Sequence, residues 1–146
     1  MAAREVWWVE AAPFRAHVAH LMAAAELTFG TLGLLTGVQP RAIARLMAGR
    51  HSGRPVGKIS RDMARQLLSV RNSDVRALRC RSVAAEAVTL QLRFLRRAGW
   101  SESRLAATLG LDRRSLDALL DGSASGCSAL VALRAAAAVR TIRDVA

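Results

Sequence analysis

Leu32 to Lys58 reads LGLLTGVQPRAIARLMAGRHSGRPVGK, and its spacing of small, apolar and basic residues decides how the rest of the chain is read. Gly33 puts a small residue where two helices would have to touch, and Gly37, four positions on, can take the positive φ of a tight turn. Beyond the turn, Val38, Ile43 and Leu46 fall at intervals that point a second short helix inward, while Arg41 and Arg45 share its outer face. Pro40 suits the first turn of that helix and Gly49 its end. The pattern is helix, turn, helix, with a packed back and an arginine front suited to an anionic partner.

Working outward, Pro13 opens an earlier helix whose stripe is Phe14, Val18, Leu21 and Met22 and which ends near Glu26. Thr28 offers the N-cap of the helix before the turn. The segment RHSGRPVGK, residues 50–58, is a basic loop kept irregular by its glycines and proline. Ser60 caps a further helix with Met63, Ala64, Leu67 and Leu68 inward. Val6, Trp7, Trp8 and Val9 read as core, with an exposed interaction patch as the alternative. These elements form a module over residues 1–70, with its recognition helix at about 39–48.

Residues 71–82, arginine-rich and polar, read either as a linker or as the fraying end of one helix and the start of the next. After them the pattern repeats. A shift of 73 positions carries Leu32 to Leu105, Gly33 to Ala106, Gly37 to Gly110, Ile43 to Leu116, Leu46 to Leu119 and Gly49 to Gly122. In the second module, residues 83–146, a first helix runs from Val83 to Arg97. Ser101 caps the second helix, Asp112 the third at about 112–121, and Ser128 a last, alanine-rich one. The loop before this last helix is five residues shorter than its counterpart and lacks arginine. Trp100 reads as core. No segment alternates as strands do, so the expected fold is all-α, two tandem helix-turn-helix modules of about four helices each.

The formal net charge is +11, and Lys58 is the only lysine. Residues 1–37 carry two basic and three acidic groups, 38–82 eleven and two, and 83–146 nine and six. The positive field therefore begins at the helix after Gly37, which argues for a polyanionic partner. Arginines serving only as a solvated surface are the competing reading. Cys80 and Cys127 have no metal-type spacing and read as inert thiols in a reducing cytoplasm. The tract from Val18 to Val38 carries Glu26 and three glycines, so it reads as two helices and not as a membrane span. His17 and His20 stand three apart with no third ligand beside them, so no metal or other cofactor is expected. No Walker loop, Ser-His-Asp or Cys-His pattern is present, and the expectation is a protein that is not an enzyme.

Residues 32–51 resemble the helix-turn-helix unit of the phage-repressor and lactose-repressor superfamily. The following Ile59-Ser60-Arg61-Asp62-Met63-Ala64 is similar to the helix after its recognition helix. The tandem, arginine-rich and alanine-rich arrangement resembles small regulators and immunity repressors of high-GC bacteria and their phages. The resemblance implies a sequence-specific regulator of double-stranded DNA, a cytoplasmic, nucleoid-associated repressor that occludes a promoter. Gln39, Pro40, Arg41, Ala42 and Arg45 then face the major groove, while Arg50, His51, Arg54 and Lys58 of the basic loop grip phosphate. In the second module the same frame carries Asp112, Arg113, Arg114, Ser115, Asp117 and Asp121. Arg113, Arg114 and Ser115 are its candidate DNA contacts, against which the aspartates would be repelled by phosphate. The alternative is an architectural DNA binder, or an adaptor that meets itself or another protein through Trp7, Trp8 or the second module. A membrane surface is disfavoured, because the arginines do not line one long amphipathic helix.

Overall fold

The computed structural model describes residues 7–49 and 54–145. The chain is mainly α-helical and divides into two compact units, residues 1–76 and 77–146. The first contains β1 (Trp8–Glu10), α1 (Ala12–Ala25), α2 (Phe29–Thr36), α3 (Pro40–Ala48), β2 (Lys58–Ser60) and α4 (Arg61–Leu68). After α5 (Asn72–Cys80), which crosses the division, come β3 (Ser82–Ala84), α6 (Glu86–Arg97), α7 (Glu102–Leu109), α8 (Arg113–Asp121), β4 (Gly126–Ser128) and α9 (Ala129–Val145). The order strand, three helices, strand, helix thus occurs twice.

The helix starts follow local chemistry. Each capping side chain accepts from a backbone N–H three residues on: Thr28 from Thr31, Ser60 from Met63, Ser101 from Arg104, Asp112 from Ser115 and Ser128 from Val131. Thr31 returns the contact, its hydroxyl accepting from the Thr28 N–H, so two otherwise orphaned donors are satisfied together. In the first unit α1 packs on α3 and α4, and α2 on α3, around Val18, Leu21, Leu32, Ile43, Leu46 and Leu67. In the second unit Val88, Leu92, Leu95, Leu105, Leu109, Leu116, Leu119, Ala135 and Val139 form the corresponding core.

Four short strands depart from the expectation of helices alone. β1 pairs antiparallel with β2, Trp8 opposite Ser60 and Glu10 opposite Lys58, and β3 pairs likewise with β4. Each clip is only three residues long, too short for alternation to register. Val83 consequently lies in β3, not in the helix, and Lys58 in β2, not in the loop. Trp7 and Trp8 are exposed rather than core: in β1 it is Val9 that lies opposite the buried Ile59, which turns Trp8 to the other side, and Trp7 precedes the strand. Leu68 is exposed at the end of α4, leaving Ala64 and Leu67 to carry its buried stripe. Residues 72–80 form a helix instead of a linker, because Val75 and Leu78 are buried three apart and Asp74 accepts from the Arg71 N–H at 2.8 Å.

Among the described residues no single helix is long and apolar enough to cross a membrane, and the apolar pair α1 and α2 is bent by 111°.

Candidate nucleic-acid interface

The pairing of α2 with α3 is set by backbone geometry. A Cβ added at Gly33 would lie 2.8 Å from the Val38 carbonyl oxygen and 3.1 Å from Pro40 Cγ, so the crossing is as close as glycine permits. Gly37 takes φ 79° and donates its N–H to the Gly33 carbonyl at 2.8 Å. The buried Thr36 hydroxyl completes the turn, donating to the Leu32 carbonyl at 2.8 Å and accepting from the Val38 N–H at 3.2 Å. From α4, Gln66 Nε2 donates to the Gly37 carbonyl at 3.4 Å.

On α3, Ile43 and Leu46 are buried while Gln39, Arg41 and Arg45 are exposed, with Pro40 and Ala42 half-buried beside them. Among the described residues neither Arg41 nor Arg45 forms an ion pair, so both guanidinium groups are available to an external anion.

At the far end of α3, Arg15 of α1 donates Nε–H to the Leu46 carbonyl at 2.8 Å and Nη2–H to the Val56 carbonyl. The Ala11 N–H donates to the Gly57 carbonyl at 3.0 Å. Residues 54–58 are thereby moored to α1 and to the end of α3, with Arg54 and Lys58 both exposed. Arg50 and His51 lie outside the described residues. The carbonyls that Arg15 joins carry no signature in sequence. The same holds for His17, whose Nε2–H is shared between the Leu67 and Val70 carbonyls at 3.1 and 3.0 Å and fastens the end of α4. His20 is exposed, and among the described residues no group of three or more His, Cys, Asp or Glu is placed to hold a metal ion.

The corresponding face of the second unit is differently wired. Asp112, Arg113, Arg114, Ser115, Asp117 and Asp121 are all exposed on or beside α8. Arg113 pairs with Glu102 through Nη2 and with Asp117 through Nε at 3.3 Å, while Glu102 also meets Arg96 at 3.6 Å. The amide and hydroxyl of Ser115 hold the Asp112 carboxyl below the usual carboxylate range, and those of Ser123 do the same for Asp121. These groups remain anionic at neutral pH. Arg114 forms no ion pair among the described residues.

Trp100 packs partly buried on this unit's core, with the Arg104 guanidinium 3.7 Å over its ring. The cysteines are free, Cys80 exposed and Cys127 half-buried, where desolvation raises its thiol pKa.

No family model matches the chain, and no curated protein or solved structure matches it.

Proposed function

We propose that the protein is a sequence-specific regulator of double-stranded DNA, a repressor whose first unit lays α3 in the major groove. The observation that carries this reading is the pair Arg41 and Arg45 on the outer face of α3, exposed and unpaired among the described residues, over a back fixed by Ile43 and Leu46. Arginine presents a planar fork that matches the acceptor edge of guanine, and a short helix with its apolar side buried fits the groove. Arg54 and Lys58, moored beyond the end of α3, are placed by this reading at the sugar-phosphate backbone, where they supply affinity without sequence preference. Bound over a promoter, such a protein excludes other proteins from it.

Selection of bound sequences from a random duplex library, followed by competition binding with the selected and scrambled duplexes, tests the reading. A specificity ratio of roughly 10³ or more is expected of a regulator. A ratio near one selects an architectural binder instead. The exposed Trp7 and Trp8 favour a second reading, that a protein partner is held at β1. Pull-down with Trp7→Ala, Trp8→Ala as the control tests it.

A further inference from the structure

The exposed face of α6 is unlike its counterpart on α1. With the two units aligned on β1 and β3, Glu86, Leu90, Phe94 and Arg97 occupy the places of Ala12, Ala16, His20 and Ala23. The second unit has therefore gained two large apolar side chains and two charges where the first has small or polar groups. Leu90 is 61% exposed and Phe94 37%, whereas Val88, Leu92 and Leu95 on the other side of the helix are buried. Residues 86, 90, 94 and 97 follow one another at helical spacing and form a single stripe. Its charges are segregated, with Glu86 at the first turn and Arg97 at the last. Among the described residues neither forms an ion pair, while nearby Arg93 is occupied by the Leu120 carbonyl and Arg143 lies 5.7 Å over the Phe94 ring.

Such a stripe is complementary to itself in one orientation. If two α6 helices meet antiparallel about a two-fold axis near residue 92, Leu90 of each comes level with Phe94 of the other. The same placement sets Glu86 within one residue, about 1.5 Å of rise, of the level of Arg97 across the contact. The parallel arrangement would oppose like charges, Glu86 to Glu86 and Arg97 to Arg97. We infer that α6 is a self-association surface, occupied by α6 of a second copy of this chain in antiparallel orientation. One helix face buries less than a standard interface, so the dimer dissociates on dilution. The inference is independent of DNA binding.

The test is sedimentation of the full chain without DNA over a concentration series. The expected result is a monomer–dimer equilibrium that Leu90→Glu, Phe94→Glu abolishes. Glu86→Arg, which places arginines of both copies together, should weaken association by about tenfold or more, and the exchange Glu86→Arg, Arg97→Glu should restore it. These positions are exposed, and far-UV circular dichroism of each variant checks that the helices persist. A monomer at every concentration overturns the inference, as does a dimer indifferent to the Leu90 and Phe94 changes. Failure of the exchange to restore what Glu86→Arg removed overturns the antiparallel pairing. None of these results bears on whether α3 reads DNA.

Discussion

Arg15 on α1 is bonded to the carbonyl of Leu46 on α3 at 2.8 Å, and the same place in the second unit is held by Thr89, whose hydroxyl donates to Leu119 at 2.7 Å. Leu46 and Leu119 are themselves counterparts, so a donor from the first helix closes the end of the third helix twice. The side chains differ because the segments beyond them differ. Arg15 has a second arm for Val56, whereas the connection from α8 to β4 is five residues shorter and Thr89 has one acceptor to serve. The last helices repeat the arrangement at the turns, Gln66 reaching Gly37 and Arg134 reaching the Leu109 carbonyl at 3.1 Å.

Replacing Arg15 by Thr should therefore retain the shape of the second unit's solution but lose the tie to Val56. We expect destabilisation of about 1–3 kcal/mol in urea unfolding, the range for leaving a partly buried carbonyl unpaired. Duplex binding should weaken alike for selected and scrambled sequences, because the residues released are those assigned to phosphate. A variant as stable as the parent would mean that the mooring is supplied elsewhere.

Gly33→Ala gives a contrast between the two copies. Alanine is favoured over glycine in a helix by about 0.5–1 kcal/mol. Here its Cβ meets a backbone oxygen at 2.8 Å and a proline ring at 3.1 Å, neither of which yields easily. Overpacking of this kind costs about 1–3 kcal/mol, so net destabilisation is expected. At the corresponding Ala106 the reverse change, Ala106→Gly, should cost only the helix propensity. Equal effects at the two sites in urea titrations would contradict the close crossing of α2 and α3.

Asp112 gives a pH dependence of known sign. Its carboxyl is held below the usual range by hydrogen bonds from Ser115, so the unfolded state binds the proton more readily than the folded one. The resulting stability is fully present above the unfolded value of about 3.9 and is lost as pH falls through the lower folded value. Asp112→Asn, which caps without charge, should melt below the parent at neutral pH, and the gap should close in acid. A gap unchanged across that range, in melting curves followed by circular dichroism, would refute the assignment.

Much of this was legible because the causes are local. Thr28, Ser60, Ser101, Asp112 and Ser128 each act on an N–H three residues away, and Ile43 and Leu46 turn inward by helical spacing alone. What escaped depends on distant partners. Val9 pairs with Ile59, fifty residues away, in a strand too short to show a pattern. Trp7 and Trp8 read as core by composition, yet Trp8 lies on the side of β1 away from Val9 and Trp7 precedes the strand, and both are exposed. Arg15, His17 and Gln66 act on backbone carbonyls, which every residue possesses and no sequence advertises. Only the repeat offers a hint, since Arg15 and Thr89 stand in register as two donors. In α8 the frame was legible but the pairing of Arg113 with Glu102, eleven residues away on α7, was not.

For the proposed reader, Arg41→Ala should cost about 1–3 kcal/mol on the selected duplex and relax preference at one or two base pairs, as loss of a guanine contact does. Neutralising Arg54 and Lys58 should act differently, weakening all duplexes alike. It should also reduce the log–log salt slope by about 0.9 for each phosphate contact removed. Uniform weakening by Arg41→Ala would reassign that residue to phosphate, and an unchanged slope would take residues 54–58 off the DNA.

The last prediction concerns α8, which repeats the frame of α3 with altered chemistry. Freeing Arg113 from Glu102 and Asp117 would cost little, because exposed ion pairs contribute only about 0–1 kcal/mol each. The stronger objection is what remains: Asp112 and Asp121, their carboxyls held below the usual range, stay ionised on or beside the same exposed face as Asp117, where approaching phosphates would be repelled. Asp112 is committed to capping α8, so it is not removed by rotation of a side chain. Arg113→Glu, Arg114→Glu should therefore leave the footprint on the selected duplex unaltered and change affinity by less than about threefold, well under the effect expected of Arg41→Ala. With one reader per chain, specificity then has to come from two copies on a two-fold symmetric site, and the complex should contain two chains. A footprint that shortens on one side in the variant, with one chain per duplex, would show instead that both units of a single chain read DNA.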